Sequence, residues 1–235
     1  MKSNLHLILI ASALVSACGT VEKKNEATTP KSLQVVVEVS DITKSTDTYA
    51  ILTETHVEKT YYGMGQNGGG KFYGLHIMTN SLKQDPITGD IPVLEQLPIK
   101  GNAYQQANRT RKNKQLAAEF ETHKDAFITS VANKLIVPKS HDFSDLKNAL
   151  ELARKILENP MYRNYVKKLL IISDMENDLP PNQGIDPMEP VHFASDVKVF
   201  LVRPSDRVKL AELIPGSDYS VYTTIDDAIN GMFHK

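Results

Sequence analysis

Three short segments combine acids and hydroxyls at places where the chain is expected to turn. Asp41-Ile42-Thr43-Lys44-Ser45 follows a dense apolar run. Ser144-Asp145-Leu146 opens an amphipathic stretch. Ser173-Asp174-Met175-Glu176 follows the run VKKLLII. Side chains of this kind offer only oxygen donors, the donors a hard divalent cation takes. The same residue types cap helices and form turns, so each segment alone is a weak signal.

Other chemistry is poorly served. Gly65-Gln66-Asn67-Gly68-Gly69-Gly70-Lys71 has the spacing of a phosphate-binding loop up to its lysine. The next position must carry a hydroxyl to hold Mg²⁺, and it is Phe72. The loop also leads toward a strand, so no helix N-terminus would meet a phosphate. The histidines at 6, 56, 76, 123, 141, 192 and 234 are scattered, and no two have the i, i+4 spacing of a helical metal site. No G-x-S-x-G nucleophile elbow is present.

Alternating strands and helices would position the three segments. Leu33 to Ser40, LQVVVEVS, is β-branched and apolar on both faces at its start, as a central strand of a covered parallel sheet requires. A helix is expected across Thr48 to Thr60, and a second strand over Phe72 to Thr79. Asn80 to Gly101 contains Pro86, Gly89, Pro92 and Pro98 and reads as turns with a short hairpin. From Asn102 to about Leu135 one long helix or two is expected, with Leu116, Phe120, Phe127, Val131 and Leu135 near helical spacing. Its polar, basic first half reads as a solvated face, and Pro138 ends the run. Ser144 to Leu157 has a capping serine and one apolar stripe. Strands at Val166 to Ile172 and Val197 to Val202 flank a Pro-rich loop, Leu179 to Pro190. A helix from Ser205 to about Leu213, a short strand near Val221 and a helix from Ile225 to Phe233 complete the chain. This alternation predicts a three-layer α/β fold with a mostly parallel sheet covered by helices on both faces. In such sheets ligands bind beyond the carboxyl ends of the strands.

In this order, the three segments resemble the von Willebrand factor type A domain and its metal-ion-dependent adhesion site. The family pattern is D-x-S-x-S after the first strand, a Thr in a later loop, and an Asp after a middle strand. Asp41 matches the first Asp, and Thr43 and Ser45 match the hydroxyl positions, with Thr in place of the first Ser. Ser144 stands where the family has Thr, in the context Ser144-Asp145-Leu146-Lys147-Asn148-Ala149-Leu150, and Asp174 matches the last Asp. The resemblance covers residues 33–235. It implies a vWA/Rossmann-like fold and a cation (Mg²⁺, or Mn²⁺ or Ca²⁺) held by Asp41, Thr43, Ser45, Ser144 and Asp174. It also implies a protein partner that supplies an acidic group to the open coordination position. Two features depart from the pattern. Thr43 and Ser144 keep an oxygen but change size, and about a hundred residues separate the first strand from Ser144. A haloacid dehalogenase-like phosphatase also places an Asp after its first strand, but needs a second Asp two residues on as general acid, where Thr43 stands. The expectation is therefore a non-enzymatic chain.

The N-terminus has its own logic. Lys2 supplies a positive start, Leu5 to Val15 is too short to span a bilayer, and Val15-Ser16-Ala17-Cys18 resembles the bacterial lipobox. The expected organisation is a signal peptide over 1–17, a lipidated Cys18 with a flexible polar tether over 18–32, and the domain over 33–235. Gly19, rather than Asp, would direct a Gram-negative lipoprotein to the outer membrane. Cys18 is the only cysteine, so no intrachain disulfide is possible. The formal charge of −1 gives no bulk case for nucleic acid, and Trp is absent. The expected function is an envelope-anchored protein-binding module. The alternatives are a metal-free structural or assembly lipoprotein that uses the basic helix near Arg109 to Lys114 as its contact, and, less favoured, a metal-dependent phosphoester hydrolase.

Overall fold

Every residue of strand β1, Gln34–Asp41, is buried. The strand lies at the centre of a six-stranded sheet in a computed structural model that describes residues 32–44, 51–181, 189–202 and 212–234. Its alternation serves two cores. Val35, Val37 and Val39 face one, and Val36 faces the other. The remaining strands are β2 (Gly70–Ile77), β3 (Ile87–Ile91), β4 (Val166–Ile172), β5 (Val197–Val202) and β6 (Asp218–Tyr222), in the order β3-β2-β1-β4-β5-β6. All neighbours pair in parallel except β3, which runs antiparallel to β2 at the edge.

Helices α1 (Glu54–Gln66), α2 (Ala103–Leu135) and α4 (Ile225–Phe233) cover one face, and α3 (Leu146–Leu157) covers the other. The apolar stripe of α3 buries Leu146, Ala149, Leu150, Ala153 and Leu157 against Val37, Leu169 and Leu201. On the opposite face Phe72, Phe120, Phe127, Val131 and Leu170 interlock with Tyr61 and Met64. The expected three-layer α/β fold with a mostly parallel sheet is therefore the observed one.

Several boundaries move for local reasons. The helix expected from Thr48 begins at Glu54, where the His56 Nδ1 accepts the Thr53 N–H at 3.1 Å and fixes the start. Residues 45–50 lie outside the described set. The stretch from Asn102 is one continuous helix of 33 residues, begun by a reciprocal Asn102–Gln105 cap. The turn region before it contains β3, which pairs with β2 as a short hairpin. The cap of α3 is Asp145, whose carboxylate accepts the Asn148 N–H at 3.3 Å. Ser144, the expected cap, is turned elsewhere. Most of the expected helix from Ser205 to about Leu213 and much of the Pro-rich loop fall in residues 203–211 and 182–188, outside the described set, while Glu212 and Leu213 are helical.

The glycine-rich loop that mimics a phosphate loop is a strand entrance. Gly70 opens β2 at φ +138°, and a Cβ there would overlap the Gln34 carbonyl oxygen. Gly70→Val is expected to lower stability by about 3 kcal/mol or more, because it adds both a clash and a forbidden backbone conformation. Urea unfolding at constant pH checks this, and an unchanged midpoint would contradict it.

The amino-terminal ends of the parallel strands form the lower end of the molecule. There Gln34 donates its Nε2–H to the Met64 carbonyl at 3.2 Å, and Phe120 packs on Tyr61. Helix α2 rises from this level to Leu135, whose carbonyl lies 3.0 Å from the His76 Nε2. The turns of α2 before Phe120 extend below the sheet and are largely exposed.

Candidate functional site

Asp41 is the last residue of β1, at the upper end of the sheet, and is only 7% exposed. Its Oδ1 accepts the Thr43 N–H at 2.9 Å and the Thr43 hydroxyl at 2.7 Å, folding the chain back over the strand end. Thr43 is fully buried and held from outside by a parallel bridge to His141, with the Lys44 N–H donating to the His141 carbonyl at 2.8 Å.

This bridge delivers the segment before α3. The Thr43 Oγ1 lies 2.9 Å from the Ser144 Oγ, although 101 residues separate them in the chain. Ser144 is buried, and its backbone pairs with Asp178 in both directions, at 2.7 and 3.0 Å. The loop after β4 is thus zipped to the entrance of α3. The Asn177 Oδ1 strengthens the closure by accepting the Leu146 N–H at 2.9 Å.

The loop after β4 adds a residue that sequence reasoning did not select. Ser173 is buried, and its hydroxyl donates to the Asp41 Oδ2 at 3.0 Å. The Ser173 Oγ in turn accepts the Met175 N–H at 3.0 Å. Met175 takes φ 65°, unusual for a residue with a Cβ. That turn directs Asp174 toward the upper end, where its Oδ1 accepts the Glu176 N–H at 3.0 Å. The only sequence signal for Ser173 was a hydroxyl immediately before an acid at a strand end.

The electrostatics follow from this geometry. The Asp174 carboxyl is pushed above its usual range, first by burial and then by the nearby negative charge of Asp41. A cation would relieve this opposition to the ionised form of Asp174. The surrounding donors are hydroxyls of Thr43, Ser144 and Ser173, all hard oxygens. Among the described residues no group of three or more His, Cys, Asp or Glu side chains could hold a metal. The donor set therefore suits a hard divalent cation bound by two carboxylates, hydroxyls and water, and does not suit a cage of acids or a soft metal. Of the five sequence-selected ligands, Asp41, Thr43, Ser144 and Asp174 lie at this end. Ser45 and the lipidation candidate Cys18 lie outside the described residues.

A cleft of about 330 Å³ opens beside Asp41, lined by Ser40, Ile42, Leu52, Leu135 and Pro138 among others. Its wall is mostly apolar, so any group held there would be read by shape rather than by charge.

No protein-family model and no characterised protein sequence matches the chain. Solved structures do resemble it. The pilus adhesin SpaC of Lactobacillus rhamnosus GG aligns at 10% identity and a TM-score of 0.41, covering 86% of this chain and 29% of that one. The SpRpn10 VWA domain aligns at 7% identity and 0.41, covering 85% and 95%. Manganese-loaded Plasmodium vivax TRAP protein aligns at 9% identity and 0.41, covering 86% and 72%. The chain thus spans less than a third of the adhesin's length. The fold class itself rests on the strand order and the layering described above.

Proposed function

We propose that the chain is an envelope-anchored protein-binding module. Its upper end captures an acidic group of a partner protein through Mg²⁺, Mn²⁺ or Ca²⁺ held by Asp41, Thr43, Ser45, Ser144 and Asp174, with Ser173 orienting Asp41. A signal peptide over residues 1–17 directs export. Lipid on Cys18 anchors the chain, to the outer membrane if the envelope is Gram-negative, and residues 18–32 link the anchor to the domain over 33–235. The observation that carries the reading is the 2.9 Å approach of the Thr43 and Ser144 hydroxyls beside Asp41, at the end of the sheet where such folds bind ligands. When bound, the cation supplies a Lewis-acidic position for a carboxylate. The chain's own residues orient the donors and shield them from bulk water.

One observation favours a second reading, a metal-free scaffold. The Asp41 carboxylate already accepts three hydrogen bonds from Thr43 and Ser173, which neutralise much of its demand without a cation.

Isothermal titration of Mg²⁺ and Mn²⁺ into the protein separates the two. Saturable one-site heat is expected, and it should be absent from a folded Asp41→Ala/Asp174→Ala variant. No heat in the folded parent would overturn the cation and leave the scaffold.

A further inference from the structure

The first half of α2 is a basic arm. No acid stands between Glu95 and Glu119, while Lys100, Arg109, Arg111, Lys112 and Lys114 all do. Taking these five charges from the chain's formal −1 leaves −6 for the remainder, so the arm is the positive pole of a negative body. None of the five forms an ion pair among the described residues.

The arm is a built projection. Leu94 is tied to the lower end by its N–H, which donates to the Gly65 carbonyl at 2.9 Å. The following segment descends beside the helix. The Leu97 N–H and carbonyl both pair with the Asn113 side chain, at 2.8 and 2.9 Å, and Arg109 donates to the Pro98 carbonyl at 2.8 Å. The chain turns at Gly101, φ 101°, and returns as helix to Phe120. From Ala103 to Glu119 the helix measures about 25 Å at ~1.5 Å per residue. Arg111 and Lys114 point away from the descending segment with Tyr104, and all three are exposed. At the tip Tyr104 is 76% and Ile99 57% exposed.

The direction of the arm selects its partner. Leu33 accepts the Val166 N–H through its carbonyl at the lower end, so the amino-terminal segment enters the domain at the end from which the arm projects. Only residues 19–32 separate that entry from Cys18, a span of at most about 50 Å even fully extended. The arm's reach lies within that span. We propose that the arm docks on an anionic lipid surface, the second attachment of a chain whose first is lipid on Cys18. This rests on the anchoring reading above. Attachment by several basic residues is the usual second signal, each contributing roughly fivefold in partition near an anionic leaflet. The arm has no apolar stripe to insert, so it lies on headgroups, with Tyr104 suited to the interfacial region. The candidate site then faces away from the membrane, at the opposite end of the sheet.

The absence of tryptophan provides the test. Tyr104→Trp, in the acylated full chain, gives a single donor for energy transfer to a dansylated headgroup. Transfer should be roughly threefold or more higher in vesicles containing phosphatidylglycerol than in pure phosphatidylcholine. It should fall to the neutral-lipid level at high salt or in Arg111→Glu/Lys112→Glu/Lys114→Glu. Equal transfer in both vesicles, or insensitivity to the charge reversals, overturns the proposal. So does tryptophan fluorescence that responds to polyglutamate or an oligonucleotide but not to anionic vesicles, which would assign the arm to a protein or nucleic acid. Flotation with neutral vesicles reads the anchor separately. A chain that does not float lacks the lipid, and the arm is then read with the same chain added to anionic vesicles at low salt. Salt-sensitive transfer there upholds it, and no transfer overturns it.

Discussion

At pH 8 the Glu38→Leu variant is expected to be more stable than the parent by about 4 kcal/mol, and its stability should no longer fall between pH 5 and 8. Glu38 lies in the middle of β1, between Gly74 of β2 and Leu170 of β4, and is fully buried. By strand alternation it shares the face of Val36, beneath α1 and α2. Neither carboxylate oxygen has a hydrogen-bond partner, and burial pushes the group up from 4.5 to about 8. Below pH 4.5 the carboxyl is neutral in both folded and unfolded chains, and titration costs nothing. Between 4.5 and 8 the unfolded chain releases the proton while the folded chain keeps it, so stability falls by about 1.4 kcal/mol per pH unit. Above 8 both states are ionised and the loss is complete. Leucine removes the titration and replaces unsatisfied oxygens with packing atoms of similar volume. Glu38→Gln should flatten the pH profile equally but recover less stability, because it remains polar. Urea unfolding at pH 5, 6.5 and 8 reads both effects, and a parent whose stability is level over that range would refute the account.

The second large effect separates two acids of the candidate site. Asp41→Ala should cost about 3 kcal/mol, because it removes the acceptor of three hydrogen bonds from the buried Thr43 and Ser173. Asp174→Ala should stay within about 1 kcal/mol of the parent, since burial and the Asp41 charge already oppose its ionised form. Both should abolish the response to divalent cations. For the parent, a cation at a hundredfold its dissociation constant should add about 2.7 kcal/mol to unfolding. Thermal melts with and without Mg²⁺ provide the comparison. An Asp174→Ala chain that still gains stability from Mg²⁺ would remove Asp174 from the ligand set. One as damaged as Asp41→Ala would make its role structural.

Much of the fold is legible in the sequence because the signals are local. The β-branched run at Leu33 to Ser40 could only be comfortable in a covered sheet, and the apolar stripe from Leu146 to Leu157 could only be a helix lying on one. The start of α1 was less legible. A helix is expected across Thr48 to Thr60, and only the reciprocal contact of Thr53 with His56 sets its start at Glu54. The cap of α3 was misassigned by one residue. Both Ser144 and Asp145 are good caps, and their roles are divided by Thr43, which engages the Ser144 hydroxyl and leaves capping to Asp145.

By itself, then, the sequence determined the alternation of strands and helices, the three acid-and-hydroxyl segments at strand ends, and the basic run between Glu95 and Glu119. Each is a property of neighbours along the chain, set by side-chain periodicity, propensity and charge. Only the tertiary structure decided that Ser173, 132 residues from Asp41, would donate to it. It alone decided that Glu38 would be sealed without a partner, and that the basic run would project from the end where the amino-terminal segment enters. These depend on strand order and on the closure of long loops, which bring together groups whose encounter no local pattern encodes.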